Sequence, residues 1–205
     1  SSVSVYGFYP DSKLPFDETA PLNPNPDNLY AVHNAAVEKL YRQFCDEAKD
    51  IELTIFRPCM ILGPLSDNFT CRFARTWPFI FTMTGENPQI QIVHEEDVLD
   101  AFLFAVRNSL PGTYNLGSSG SVSMKAFCAA FGKPAVPVNY HLLKAIHKAL
   151  WTLRVPTVTF GPEWLNFYRY SCTVSTQKLR QVKPGFPRFS TLQAIESYLE
   201  NRIGR

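Results

Sequence analysis

The sequence predicts an α/β fold with a mostly parallel sheet. Two observations predict it. Short apolar runs alternate with segments whose apolar residues recur at helical spacing, and several runs are β-branched and nearly continuous, as in strands buried on both faces of a parallel sheet. Length agrees: 205 residues with 45% apolar content suffice for one full core, or for one domain and a small companion.

Ser1 to Tyr6 reads as the end of a buried strand that runs out into a loop at Gly7. Prolines between residues 10 and 26 keep that loop irregular. Asp27 or Asn28 then caps a helix whose Val32, Ala35, Ala36, Leu40 and Phe44 form an expected core-facing stripe, ending near Asp50. Ile51 to Phe56 is the next buried strand. Residues 69–76 are expected to be helical and lead into the aromatic stretch Trp77-Pro-Phe-Ile-Phe81.

Gln89 to Val93 alternates as one half-buried strand. Glu95, Glu96 and Asp97 place negative charge at the positive end of a helix over Val98 to Val106. Gly112 to Gly117 is a further strand, and Ser123 to Phe131 a helix stopped by Gly132. In the tail, Leu142, Leu143, Ile146 and Leu150 form one apolar face, with Lys144 and Lys148 off it. That helix is expected to pack over a substrate cleft, with contact to a membrane surface as the alternative. Ser190 to Leu199 forms a capped final helix.

Composition excludes several function classes. A net charge of +2 with both signs spread along the chain predicts no strong pull towards nucleic acid, so a small molecule is the expected partner. The five cysteines, at 45, 59, 71, 128 and 172, are odd in number and far apart. They suggest neither a disulfide framework nor a metal site, and fit a reducing, cytoplasmic setting. No apolar run approaches the roughly 20 residues of a membrane span, and the first residues do not read as a signal peptide. No Gly-rich phosphate turn is present, since Gly117-Ser-Ser-Gly120 comes late and alone. The chain is therefore expected to be a fragment of a longer protein.

Five motifs carry chemistry. They are Ser1-Ser-Val-Ser-Val-Tyr-Gly7, the loop ending Leu14-Pro-Phe-Asp-Glu18, the helix bearing Tyr30, Asn34 and Glu38, the strand Phe56-Arg-Pro-Cys-Met-Ile-Leu-Gly-Pro64, and Ile92-Val-His-Glu-Glu-Asp-Val98 with Gly112-Thr-Tyr-Asn115 behind it. In order and spacing they resemble the extended short-chain dehydrogenase/reductase superfamily, NAD-dependent epimerase/dehydratase type, in a sugar-epimerase-like subgroup with an incomplete catalytic set. The resemblance implies the C-terminal part of a Rossmann-like doubly wound parallel sheet plus a small α/β substrate-binding domain. Residues 1–62 and 89–108 would belong to the first, and 63–88 and 109–205 to the second. It also implies NAD or NADP as cofactor and a homodimer paired through the tyrosine helix.

Hydride transfer at a carbon bearing oxygen requires a group that gives or takes the hydroxyl proton at neutral pH. A phenol with an ordinary pKa of about 10 does this well only where nearby positive charge favours phenolate. The resemblance gives that role to Tyr30, the substrate-orienting role to Ser2, and the place of a charged lysine, one helical turn on, to Asn34. An amide there can bond the cofactor's ribose but supplies no charge. By the same resemblance Pro58 and Cys59 lie along the nicotinamide, with Tyr30 and Asn34 as further cofactor contacts. Ser4, Met60 and Trp77 are the substrate contacts. Met60 and Ile90 stand where relatives that bind nucleotide sugars carry phosphate ligands, and Arg72, Arg75 or Arg169 would have to compensate.

These departures, together with the apolar tail, also resemble the 3-beta-hydroxysteroid dehydrogenase branch, which oxidises apolar alcohols. Three functions follow as expectations. The first is NAD(P)-dependent hydride transfer on a sugar-like substrate, the second is oxidation of a lipid or isoprenoid alcohol, and the third is a non-catalytic cofactor sensor or scaffold.

Overall fold

In a computed structural model the protein is described over residues 1–48, 50–68, 71–72, 77–155, 158 and 161–203. Strand β1 (Thr54–Pro58) pairs in parallel with β6 (Gly112–Leu116), and β2 (Met60–Leu62) with β5 (Ile92–His94). A third parallel pair joins β3 (Ile80–Met83) to β8 (Ala135–Val138). The short β4 (Gln89–Ile90) and β7 (Val122–Ser123) pair antiparallel. Helices among the described residues include α1 (Leu29–Glu47), α2 (Glu95–Asn108), α3 (Met124–Ala130), α4 (Tyr140–Thr152), α5 (Gln177–Val182) and α6 (Thr191–Ile203).

The expected mixed α/β class with parallel pairing is present. Two apolar clusters fill it. One gathers Val5, Tyr6, Phe56, Tyr114, Leu116 and Leu179 around β1 and β6. The other gathers Leu62, Ile80, Ile92, Phe127 and Ile195 around β2, β3 and β5. Strand β6, in the range expected for the second domain, pairs with β1 of the first along its whole length.

Several elements differ from expectation. Ser1 to Tyr6 is not a strand: Val3–Tyr6 winds into a 3-10 turn, with bonds from Val5 N to Ser2 O (3.2 Å) and from Gly7 N to Ser4 O (3.0 Å). Ser2 Oγ caps the turn by accepting from Ser4 N, and Gly7 ends it at φ +80°. A Cβ at Gly7 would lie 2.3 Å from the Asn23 carbonyl oxygen, so only glycine fits this close approach. The Gln89 to Val93 run is cut at Gln91 into β4 and β5, which take different partners. Of the expected helix over 69–76, Cys71 and Arg72 are helical and the remainder lies outside the described residues.

The stripe expected to bury α1 does not do so. Leu40 is 63% and Phe44 55% exposed, and the helix buries Ala31 and Glu38 instead. The cause is a buried ion pair that turns the helix. The Arg57 guanidinium on β1 grips Glu38 through Nε (2.8 Å) and Nη2 (2.6 Å), and its Nη1 donates to the Tyr6 hydroxyl at 2.8 Å. In α4, likewise, Leu143 is buried while Leu142 and Ile146 of the same expected face are exposed.

Candidate active site

The carboxyl ends of the β1–β2 segment, the Ser2–Gly7 turn and the start of α1 surround a cavity of about 390 Å³. Parallel sheets place ligand sites at this end of their strands. Ser2, Ser4, Tyr30, Pro58, Cys59 and Met60 all line it, so six of the eight residues singled out from the sequence come together. Asn34 and Trp77 are not among the described lining residues. Trp77 packs edge-on to Phe79 at 5.7 Å and near Phe81 at 6.0 Å, apart from the cavity.

Each hydroxyl is positioned for a local reason. Asn28 Oδ1 accepts from Ala31 N at 3.1 Å and caps α1, and buried Ala31 seats the first turn. Tyr30, one residue earlier, then faces out, 49% exposed, with its ring 5.6 Å from that of Trp164. Ser2 and Ser4 are held by the 3-10 turn that Val5 and Tyr6 bury beneath them. Ser4 is 3% exposed and its Oγ has no hydrogen-bond partner among the described residues, which is costly for a buried hydroxyl unless a ligand satisfies it.

Asn34 is turned away from the role of a charged partner. Its Nδ2 donates to the carbonyl oxygen of Tyr30 at 2.8 Å, so the amide bonds its own helix and brings no positive charge to the phenol. Cys59 is no nucleophile either. Burial, with the neighbouring Cys172, pushes its thiol well above the ordinary range, and burial pushes Cys172 up to about 12.

The remaining wall is apolar. Phe8, Ile61, Trp164, Phe167 and Cys172 contribute. The amides that reach the wall are already committed. Gln91 Nε2 donates to the Ser118 carbonyl and Oε1 accepts from Val174 N, while Asn68 bonds Ile61 O and Cys71 N. No charged side chain is among the described lining residues. Ile90 is a core residue. Arg72 is exposed and pairs with Asp67 at 3.4 Å. Arg169 pairs with Glu86 at 3.3 Å, its guanidinium over the Tyr140 and Tyr170 rings, at a separate surface pocket. Arg75 lies outside the described residues.

Behind the wall lie ties between helix starts, strands and loops. Tyr6 Oη donates to Asn115 Oδ1 at 2.8 Å, joining the Arg57–Glu38 pair to β6. His94 Nδ1 accepts from Glu96 N and caps α2, its ring stacked on Phe189 at 3.9 Å. Asp97, fully buried, accepts from Arg188 N and Phe189 N. Among the described residues no cluster of three His, Cys, Asp or Glu side chains is arranged to hold a metal.

The model of the NAD dependent epimerase/dehydratase family matches residues 1–117. Uncharacterized proteins of Mycobacterium tuberculosis and Mycobacterium bovis are 24% identical over 206 aligned positions, covering 98% of this chain. The chain spans about half, 53%, of the length of these relatives.

Among solved structures, dTDP-glucose 4,6-dehydratase from Bacillus anthracis in complex with NAD superposes with a TM-score of 0.72 at 13% identity, over 100% of this chain and 60% of that one. UDP-glucose 4-epimerase from Thermus thermophilus in complex with NAD gives 0.68 at 20%, over 100% and 62%. RMD from Pseudomonas aeruginosa complexed with NADPH gives 0.67 at 18%, over 98% and 64%.

Proposed function

Because this chain belongs to the NAD dependent epimerase/dehydratase family, we propose that it is the catalytic and substrate-binding part of an NAD(P)-dependent oxidoreductase acting at a hydroxyl-bearing carbon. The observation that carries this reading is one cavity with the Ser2 and Tyr30 hydroxyls on its wall, at the carboxyl end of parallel strands. Proteins of the same fold bind NAD or NADPH. The residues present fit the nicotinamide end of such a cofactor. Pro58 and Cys59 line the cavity with Tyr30 and carry no charge, whereas Asn34, whose Nδ2 bonds the Tyr30 carbonyl, is not among the described lining residues. When bound, the cofactor supplies the hydride acceptor or donor.

The chain's own residues do the rest. Ser2 Oγ accepts one backbone N–H and keeps its own proton to donate to the substrate oxygen. The Tyr30 hydroxyl bonds no described residue and is free to take or return the substrate's hydroxyl proton. The exposed stripe of Val37, Leu40, Tyr41 and Phe44 on α1 is the face through which two copies are expected to pair.

Two substrate readings follow from the cavity. A sugar-like substrate agrees with the family. An apolar alcohol is favoured by a described lining in which Ser2, Ser4 and Tyr30 supply the uncommitted polar groups and no charge awaits a diphosphate. Ser4 is then the group that reads a second polar atom of the substrate. Ser4→Ala is expected to raise KM about fivefold, the worth of one neutral hydrogen bond. It should leave the thermal midpoint unchanged or slightly higher, since the lost hydroxyl has no partner among the described residues. An unchanged KM across alcohols of both classes excludes the role.

The position of Asn34 also favours the non-catalytic alternative, and Asn34→Lys separates the two. A cation one turn from Tyr30 lowers the cost of phenolate, so kcat at neutral pH is expected to rise about tenfold or more, with the activity onset shifted to lower pH. A fall in kcat would mean that the site works around the amide. An absence of turnover in both forms, with NAD(P)H still bound, would favour the sensor.

A further inference from the structure

Helix α4 is held by one face and leaves a second apolar face bare. Leu143 is buried, Tyr140 Oη donates to Asn166 Oδ1 at 2.7 Å, and Lys144 Nζ meets Asp27 Oδ2 at 3.2 Å. The spacing of Leu142, Ala145, Ile146, Ala149 and Leu153 brings these residues onto another side of the helix. All five are exposed, Leu153 by 74%.

Charge distinguishes this face from the other bare apolar stripes. From Tyr140 through Arg154 the chain carries Lys144, Lys148 and Arg154 and no carboxylate. Lys144 is taken by Asp27, whereas Lys148 and Arg154 are exposed and pair with no described carboxylate. The stripe on α1 is flanked by charges of both signs, Lys39 and Arg42 with Asp46 and Glu47. The exposed Leu99, Phe102 and Val106 of α2 share a helix with Glu95, Glu96 and Asp100. Among the described helices with such a stripe, α4 carries cations and no carboxylate of its own, Asp27 meeting it from outside at Lys144. Among the described residues no helix is long and apolar enough to cross a membrane, so the chemistry that matches α4 is a surface, apolar beneath and anionic above.

We propose that α4 docks this protein on an anionic lipid surface. Leu142, Ile146 and Leu153 enter the boundary between headgroups and acyl chains, and Lys148 and Arg154 meet the headgroup anions. The helix packs against the 3-10 segment Pro162–Tyr168, whose Trp164 and Phe167 line the cavity. The docked face thus lies one layer from the site, next to the phase that holds apolar molecules.

The test is co-sedimentation of the full chain with vesicles of equal parts phosphatidylcholine and phosphatidylglycerol, against phosphatidylcholine alone. Binding is expected to the anionic vesicles only and to weaken with added salt. Lys148→Gln with Arg154→Gln is expected to weaken partitioning about 30-fold. Ile146→Glu with Leu153→Glu should reduce it to background. Both variants should keep the parent's thermal midpoint, because all four side chains are exposed. Equal binding to both vesicle types, no binding to either, or binding unaffected by Ile146→Glu with Leu153→Glu overturns the proposal. So does a lipid-free, concentration-dependent dimer that the same pair of substitutions abolishes, since that assigns the face to a second copy.

Discussion

Replacing Tyr30 with Phe in the complete protein is expected to lower kcat by about 100-fold or more, the scale of a lost proton-transfer group. NADH and NADPH affinities, followed by nicotinamide fluorescence, should stay within about fivefold, because at most one neutral hydrogen bond is lost. The fold should not register the change. Tyr30 is half exposed, its ring rests against Trp164, and Phe keeps that ring. The combination matters, since a substitution silent in thermal melting and in cofactor binding yet severe in turnover places the lost oxygen at the reacting centre. Unchanged turnover would remove Tyr30 from the chemistry.

The second large effect concerns stability. Glu38 and Arg57 are 2% and 3% exposed and bonded in a two-pronged fork, so Glu38→Gln leaves a buried guanidinium without its counter-charge. Breaking such a pair costs about 3 kcal/mol or more, a fall of roughly 10 °C in the midpoint for a chain of this size. Replacing both partners, Glu38→Leu with Arg57→Met, should recover much of the loss, because neither charge is then stranded.

The pH dependence has a definite sign. Burial raises the Glu38 pKa, but hydrogen bonds from Arg57 and Ser1 and the charges of Arg57 and Arg42 outweigh it and hold the carboxyl below its ordinary value. The stabilisation is therefore fully present above the ordinary glutamate range and lost as the pH falls through the lowered value. Parent and Glu38→Gln melting points should differ by a constant amount near neutrality and converge in acid. A gap that widened in acid would exclude this account.

Alternation of strand and helix was legible in the sequence because β1, β6 and α2 follow their own hydrophobic patterns. The candidate site was legible through the family resemblance, which singled out Ser2, Tyr30, Pro58 and Cys59, and these residues line one cavity. The rotation of α1 was not. Its apolar stripe points one way, and one buried carboxylate, Glu38, points it another, through a partner 19 residues on. Nor did alternation reveal that Gln91 would split its strand, because that break depends on bonds to Ser118 and Val174, remote in sequence. Phe167 and Cys172 reach the cavity from a segment with no strong periodicity, so only tertiary packing could identify them.

The bond from Asn34 to the carbonyl of Tyr30 separates two tasks that a catalytic helix often combines. The clamp that fixes this helix is four residues beyond Asn34, at Glu38, and position 34 contributes nothing to it. A substitution at position 34 therefore leaves the Glu38–Arg57 clamp intact. Under the proposed function, reactivity would be set at position 34 on a scaffold clamped at Glu38.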